Sequence, residues 1–366
     1  MTDLATAVTL IDACGRSHVP VLLLSDPGMG KSSLVRGLAT NQGVLCETVL
    51  GSIREPADVG GLPVVQPDGT VLLSPPSWAR RLAEAGSGYV FLDELTTCPP
   101  AVQAAMLAVA LDRVVGDLVL PAGVRVVAGA NPADRAADGW ELAPPLANRF
   151  CHVTFAPTVD DWLEGMTVGW AAPPASRAIT ADPIRVEMVK ALVTGFVRRK
   201  PEHLHAFPVT AAGSAGPWPS RRTWAMVAAA LANVRDEDAA ARQAITFGLV
   251  GEGVGVEFLT WCAEADLPDP ALVVDNPAVV DWTDRPDRVW AVLSAVVGWA
   301  ASKRTVEAWR SAWGPLLAAA EGGAVDVAAA AARPLSACRP ASARIPAAVR
   351  EQFAPVLAAA GLGVAA

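Results

Sequence analysis

The segment PVLLLSDPGMGKSS, residues 20–33, ends in a lysine followed directly by a serine. A flexible ammonium beside a hydroxyl is a pair suited to a polyphosphate. Lys31 reaches the β- and γ-phosphate oxygens, and the Ser32 hydroxyl is a ligand for Mg²⁺. Gly28 and Gly30 let the backbone turn tightly so that its N–H groups point inward. The candidate phosphate cradle is therefore Asp26, Pro27, Gly28, Met29, Gly30, Lys31, Ser32 and Ser33. Two flanking elements must hold it. Val21 to Leu24 form a continuous apolar run, as in a parallel strand covered on both faces. A helix beginning near Lys31 turns its positive end toward the loop. The phosphate-loop pattern opens on glycine, and Ser25 stands there in this chain. The plainer reading of the same residues is a Gly-Pro turn with no ligand.

Three further segments carry polar residues at the ends of apolar runs. YVFLDE, residues 89–94, closes on two acids. Beside the first strand, Asp93 lies near the magnesium of Ser32, and Glu94 faces the γ-phosphate, where it can polarise a water. VRVVAGANPAD ends its apolar run near Asn131, whose amide both donates and accepts and so can hold a water in line. ELAPPLANRF places Arg149 at the end of a short helix, and a guanidinium offsets charge building on a transferred phosphoryl group. Taken singly, these are surface acids, a turn-starting Asn-Pro and a surface arginine.

The elements follow from the same pattern. Strands are predicted at Val21–Leu24, Val44–Val49, Tyr89–Leu92, Val124–Ala128 and His152–Phe155, with helices starting near Lys31, Pro76, Pro99 and Pro144. Strand and helix in alternation predict a parallel sheet with helices on both faces. LPVVQPDGTVLL reads as a hairpin turning at Asp68-Gly69, and RVVGDLVL as a second at Gly116-Asp117. Beyond about residue 157 helical patterning takes over. Trp309 and Trp313, at helical spacing, read as core.

SDPGMGKSS, VFLDE, GANP and LANRF, in this order and spacing, resemble an AAA+ ATPase, and more narrowly its MoxR-like branch. The resemblance covers roughly residues 20–225. REPADVGGLPVVQPDGTVLL resembles the hairpin that this branch inserts in its second helix. PWPSRRTW resembles the second-sensor segment opening a lid helix, with Arg222 in the sensor position and Arg221 where the family has proline. The choice between these two arginines stays open, with Arg222 preferred. The resemblance implies a P-loop α/β fold: a five-stranded parallel sheet between helices over residues 1–157, an α-helical lid over 158–265 and a helical C-terminal extension over 266–366. It implies ATP and Mg²⁺ as the ligands. Lys31 and Ser32 hold phosphates and metal, Asp93 supports the metal, Glu94 activates water and Asn131 positions it. Arg222 touches the γ-phosphate of its own subunit, and Arg149 serves the neighbouring subunit in a homo-oligomeric ring, usually a hexamer. The implied function is an ATP-driven chaperone that remodels or matures a partner, commonly a protein with a von Willebrand factor A domain. The alternatives are a nucleotide-gated assembly scaffold and a metal-chelatase or nucleic-acid motor subunit.

Composition bounds these readings. Of 366 residues, 52% are hydrophobic and 18% charged, enough for a large core and against wholesale disorder. The net charge of −8, with no basic run longer than Arg198-Arg199-Lys200, disfavours nucleic acid. No basic start precedes an apolar block at the N-terminus, and no apolar run reaches the roughly 18 residues of a membrane span. Six scattered cysteines without a C-x-x-C pair read as reduced thiols, so the expected location is cytoplasmic.

Overall fold

The computed structural model describes residues 1–132, 142–169 and 173–359. Contacts divide the chain into two compact units, Met1–Thr180 with Leu204–Val256 and Ala181–His203 with Glu257–Ala366. The grouping does not follow sequence adjacency, since residues 181–203 pack with the C-terminal block.

The first unit is built on a five-stranded parallel sheet. Its strands are β1 (Val21–Leu24), β2 (Leu45–Leu50), β5 (Ser87–Asp93), β8 (Gly123–Ala130) and β9 (Cys151–Thr154), in the order β2-β5-β8-β1-β9. Each expected strand is present, displaced by no more than a few residues. The central strands carry almost nothing but apolar residues because helices cover both faces. Leu22, Val90, Leu92, Val126 and Ala128 sit in one buried cluster with Trp78, Leu82 and Met106 from the helices Ser77–Ala85 and Pro100–Leu111. Pro76 and Pro99 occupy the N-cap positions just before those helices. Proline without an N–H is suited to a helix start, where that donor has no partner. Helical segments follow the sheet, as expected. The helix Ala239–Val250 packs against β9, and a Cβ at Gly248 would lie 2.3 Å from the His152 carbonyl. Only glycine admits so close an approach.

The two hairpins form as their turn residues require. β3 (Leu62–Val65) pairs with β4 (Val71–Ser74), and Asp68 Oδ1 accepts from both the N–H and the hydroxyl of Thr70. β6 (Val114–Val115) pairs with β7 (Leu118–Val119) across Gly116-Asp117. Asp117 joins the two hairpins: its N–H donates to the Leu73 carbonyl at 3.0 Å, and its carboxylate accepts from the Leu73 N–H at 2.9 Å. Leu62, Val65, Val71 and Val119 are all exposed.

His152 on β9 is buried, and its Nε2 is bonded to the Ala147 carbonyl at 2.8 Å. Burial lowers its pKa to about 4, outweighing the pull of that carbonyl. In the unfolded chain an imidazole takes a proton near pH ~6.5. Between these values the unfolded state binds the additional proton, so stability falls as pH drops through the window. The expected loss reaches about 3 kcal/mol by pH ~4. Urea unfolding at several pH values should show it, and the slope should shrink in His152→Gln.

The second unit is helical. Its helix Pro183–Arg199 lies against Pro286–Lys303 so closely that a Cβ at Gly298 would meet Glu187 at 2.4 Å. Trp309 and Trp313 are core residues, edge to face at 5.6 Å, on the successive short helices Val306–Ser311 and Trp313–Glu321. Residues 360–366 of the expected extension lie outside the described residues. Among the described residues no helix is long and apolar enough to cross a membrane.

Candidate nucleotide site

The loop after β1, Ser25 to Gly30, opens at the carboxyl edge of the sheet. Gly28 and Gly30 have φ of +83° and +88°, in the left-handed region that glycine enters at little cost. The helix Lys31–Gln42 begins at Gly30 with no side-chain cap. Its first N–H groups are therefore offered to the loop, together with the positive end of the helix dipole. This is a built anion cradle.

Lys31 is buried and its ammonium sits inside a ring of oxygens. It donates to the Asn131 side-chain oxygen at 2.9 Å, to the Ser25 carbonyl at 2.9 Å and to the Ser25 hydroxyl at 3.0 Å. Burial lowers its pKa, against the raising influence of the Asp93 and Asp26 carboxylates. Ser25, the departure from the phosphate-loop pattern, supplies two of these acceptors. Asp26 and Met29 are half-buried, whereas Pro27 and Ser33 are exposed.

Ser32 and Asp93 meet directly, hydroxyl to carboxylate, at 2.9 Å. Strand order explains how. β8 lies between β1 and β5, so the Asp93 carboxylate must cross the end of β8 to reach the helix after β1. A Cβ at Gly129 would stand 2.7 Å from Asp93 Oδ1. Glycine at this position of β8 keeps the crossing open.

Glu94 has φ of +60°, an uncommon conformation for a residue with a side chain. The turn that fixes it is densely bonded. The Glu94 N–H donates to Asp93 Oδ1 at 2.9 Å, and its carbonyl accepts from the Thr97 N–H at 3.1 Å and the Thr97 hydroxyl at 2.9 Å. Leu95 N–H bonds to the Gly129 carbonyl at 2.9 Å. Backbone strain of about 1–3 kcal/mol held in place by its surroundings is a mark of functional sites. Cys98 donates to the Glu94 carbonyl at 3.1 Å, and burial raises its thiol pKa to about 12. This thiol is a structural group, since reactivity belongs to the thiolate.

Asn131 follows β8. Its backbone carbonyl accepts from the Thr96 hydroxyl at 3.2 Å, and its side-chain oxygen faces Lys31. The first expected group is thus assembled: Lys31, Ser32, Asp93, Glu94 and Asn131 stand at the adjoining ends of β1, β5 and β8.

Arg149 and Arg222 are the remaining expected site residues. Arg149 is half-buried, with Nη1 donating to the Pro145 carbonyl at 2.7 Å. Arg221 and Arg222 are both exposed on the first turn of the helix Arg221–Leu231. Burial lowers the Arg149 pKa first, and the charge of Arg222 lowers it further. Arg222, the preferred of the two candidates, is thus electrostatically close to Arg149. Among the described residues no hydrogen bond joins either arginine to the Lys31 group. Sequence reading missed Ser25, Gly129 and Asn148. Asn148 precedes Arg149, is buried and bonds to the loop that starts the Arg222 helix.

The residues fit a nucleoside triphosphate with magnesium: an uncapped helix end, two left-handed glycines, a buried ammonium, and a hydroxyl paired with a carboxylate. Among the described residues no three of His, Cys, Asp and Glu gather as a metal site. Magnesium bound mainly through one or two protein oxygens, substrate and water needs no such cluster. A cavity of about 240 Å³ lies at the opposite, amino end of the strands, beside Arg16, Gln42, Tyr89 and Arg125. Its polar groups bond one another, with Arg125 Nη1 donating to Tyr89 at 2.7 Å and pairing with Asp12 at 2.8 Å.

No protein-family model matches the chain, and no curated protein matches it. Among solved structures, one described as a "putative ATPase" from Cytophaga hutchinsonii is 17% identical, with a TM-score of 0.43, over 69% of this chain and 86% of that one.

Proposed function

We propose that this chain is an ATP-hydrolysing motor of the MoxR-like AAA+ type. The observation that carries the reading is the Ser32–Asp93 contact at 2.9 Å beside the buried Lys31. The contact joins residues 61 positions apart, a hydroxyl and a carboxylate of the types that metal-assisted phosphoryl transfer uses, and so supports the reading.

In this reading the backbone N–H groups from Asp26 to Ser33, proline apart, hold the phosphate oxygens. Lys31 exchanges its contacts with Ser25 and Asn131 for contacts with the phosphates. Ser32 and Asp93 would hold magnesium, which would supply charge neutralisation to the phosphates. Glu94 accepts a proton from the attacking water, and the Asn131 amide orients that water. Arg222 meets the γ-phosphate from its own subunit, and Arg149 meets the nucleotide of a neighbour. A guanidinium supplied by a neighbour can be worth about 10³–10⁵ in rate, so in this reading turnover depends on a homo-oligomeric ring, usually a hexamer in the family it resembles. The exposed apolar side chains of the two joined hairpins suit a protein client, and the reading extends to a von Willebrand factor A domain partner in the cytoplasm.

The test is phosphate release from ATP by the purified chain with and without magnesium. Turnover is expected to require the metal and to vanish with excess EDTA. Binding of a fluorescent ATP analogue without any turnover would favour a nucleotide-gated scaffold instead.

A further inference from the structure

We propose that Asn148 is a positioning residue that ties Arg149 to the cap of the helix bearing Arg222, so that the two guanidiniums move as one unit. The proposal rests on the ATPase reading above and adds a route by which the two arginine positions depend on each other.

Asn148 is buried, 4% exposed, and both ends of its amide are used. Nδ2 donates to the Trp218 carbonyl at 3.0 Å, and Oδ1 accepts from the Ser220 hydroxyl at 2.7 Å. Ser220 is the N-cap of the helix Arg221–Leu231, its hydroxyl accepting from the Thr223 N–H at 3.1 Å. The Thr223 hydroxyl lies 3.2 Å from the same Trp218 carbonyl. The amide therefore closes a ring of buried hydrogen bonds through Ser220, Thr223 and Trp218. Such a ring has one good arrangement, because every broken member leaves a buried polar group without a partner.

Arg149 follows Asn148 directly, and Arg222 is two residues beyond Ser220. Few bonds separate either guanidinium from the ring. Burial lowers the Arg149 pKa, and the charge of Arg222 lowers it further. A phosphate contact that moves Arg222 then moves the cap of its helix, and through Asn148 the segment bearing Arg149. In a ring, this links the nucleotide of one subunit to the arginine offered to the next. A purely structural Asn148 would instead only hold the fold together.

The experiment is steady-state ATP hydrolysis by the full chain carrying Asn148→Ala, Arg149→Ala or both, with thermal unfolding recorded in parallel. Asn148→Ala is expected to lower kcat about tenfold, as misplacement of a charged group does. KM for ATP should stay within about threefold, since ground-state binding is untouched. Arg149→Ala should then cost about tenfold less in the Asn148→Ala background than in the parent, because part of its contribution is already lost. Ser220→Ala is expected to reproduce the kcat loss and Ser220→Thr, which keeps the hydroxyl, to restore it; this pair decides should Asn148→Ala fail to fold. Additive losses, or kcat and KM worsening in step with the melting temperature, overturn the proposal and leave the ATPase reading standing. Absence of turnover in the unsubstituted protein overturns both, and is recognised before any variant is made.

Discussion

Glu94→Gln is expected to reduce ATP turnover by about 10²–10⁴, the range typical for loss of a general base, while ATP binding persists. The variant is well suited to isolate the carboxylate. Among the described residues, the bonds that fix this residue run through its backbone: its N–H to Asp93, and its carbonyl to Thr97 and Cys98. Glutamine has the same length and meets the φ of +60° with the same modest strain. The turn therefore survives and only the proton acceptor is lost. Phosphate release measured beside binding of a fluorescent ATP analogue separates the two effects. Unchanged turnover would remove Glu94 from the role of base.

The second large effect concerns Lys31→Met. Replacing the ammonium by a thioether of similar reach is expected to weaken ATP binding about 10²-fold, the worth of charge-assisted hydrogen bonds to phosphate. Turnover at micromolar ATP should disappear. Stability is expected to change little. Burial lowers the pKa of Lys31, so at neutral pH the folded state carries this proton at a cost. A neutral, apolar side chain in the same place relieves it but leaves the Ser25 and Asn131 oxygens without their donor, so the melting temperature should stay within a few degrees of the parent's. Calorimetry and a binding titration on the same preparation test both halves. A variant that binds ATP as the parent does would dissociate Lys31 from the phosphates. A large fall in melting temperature would show that the oxygens around Lys31 depend on it for their own order.

Much of this architecture is legible in the sequence because it is local. Val21–Leu24 and YVFL are apolar on both faces, which marks central strands. Asp68-Gly69 specifies its own turn. Lys-Ser after two glycines, and two acids closing an apolar run, mark candidate positions through residue type alone, and the fold brings them to one edge of the sheet. What is not legible depends on strand order. Nothing in the spacing of Asp93 and Ser32 says that β8 passes between their strands, so the need for glycine at 129 is visible only in the folded sheet. Asn148 is hidden for a similar reason, as its partners Trp218 and Ser220 are more than 70 residues away or nearly so. Ser25 reads as a departure from a glycine pattern until Lys31 is seen bonded to it. The association of residues 181–203 with the C-terminal block is likewise silent in the sequence, because an apolar helix face declares that it will be covered without declaring by what.

The passage of one carboxylate over a neighbouring strand makes pairing and chemistry inseparable in this sheet. Gly129 stands between Ala128 and Ala130, so a shift of β8 by one position in either direction brings a methyl group to the place that now has only hydrogen. A misregistered sheet would bury nearly the same apolar surface, yet it would push the acid away from the serine. Correct threading of this strand is thus a condition for the carboxylate of Asp93 to reach the hydroxyl of Ser32.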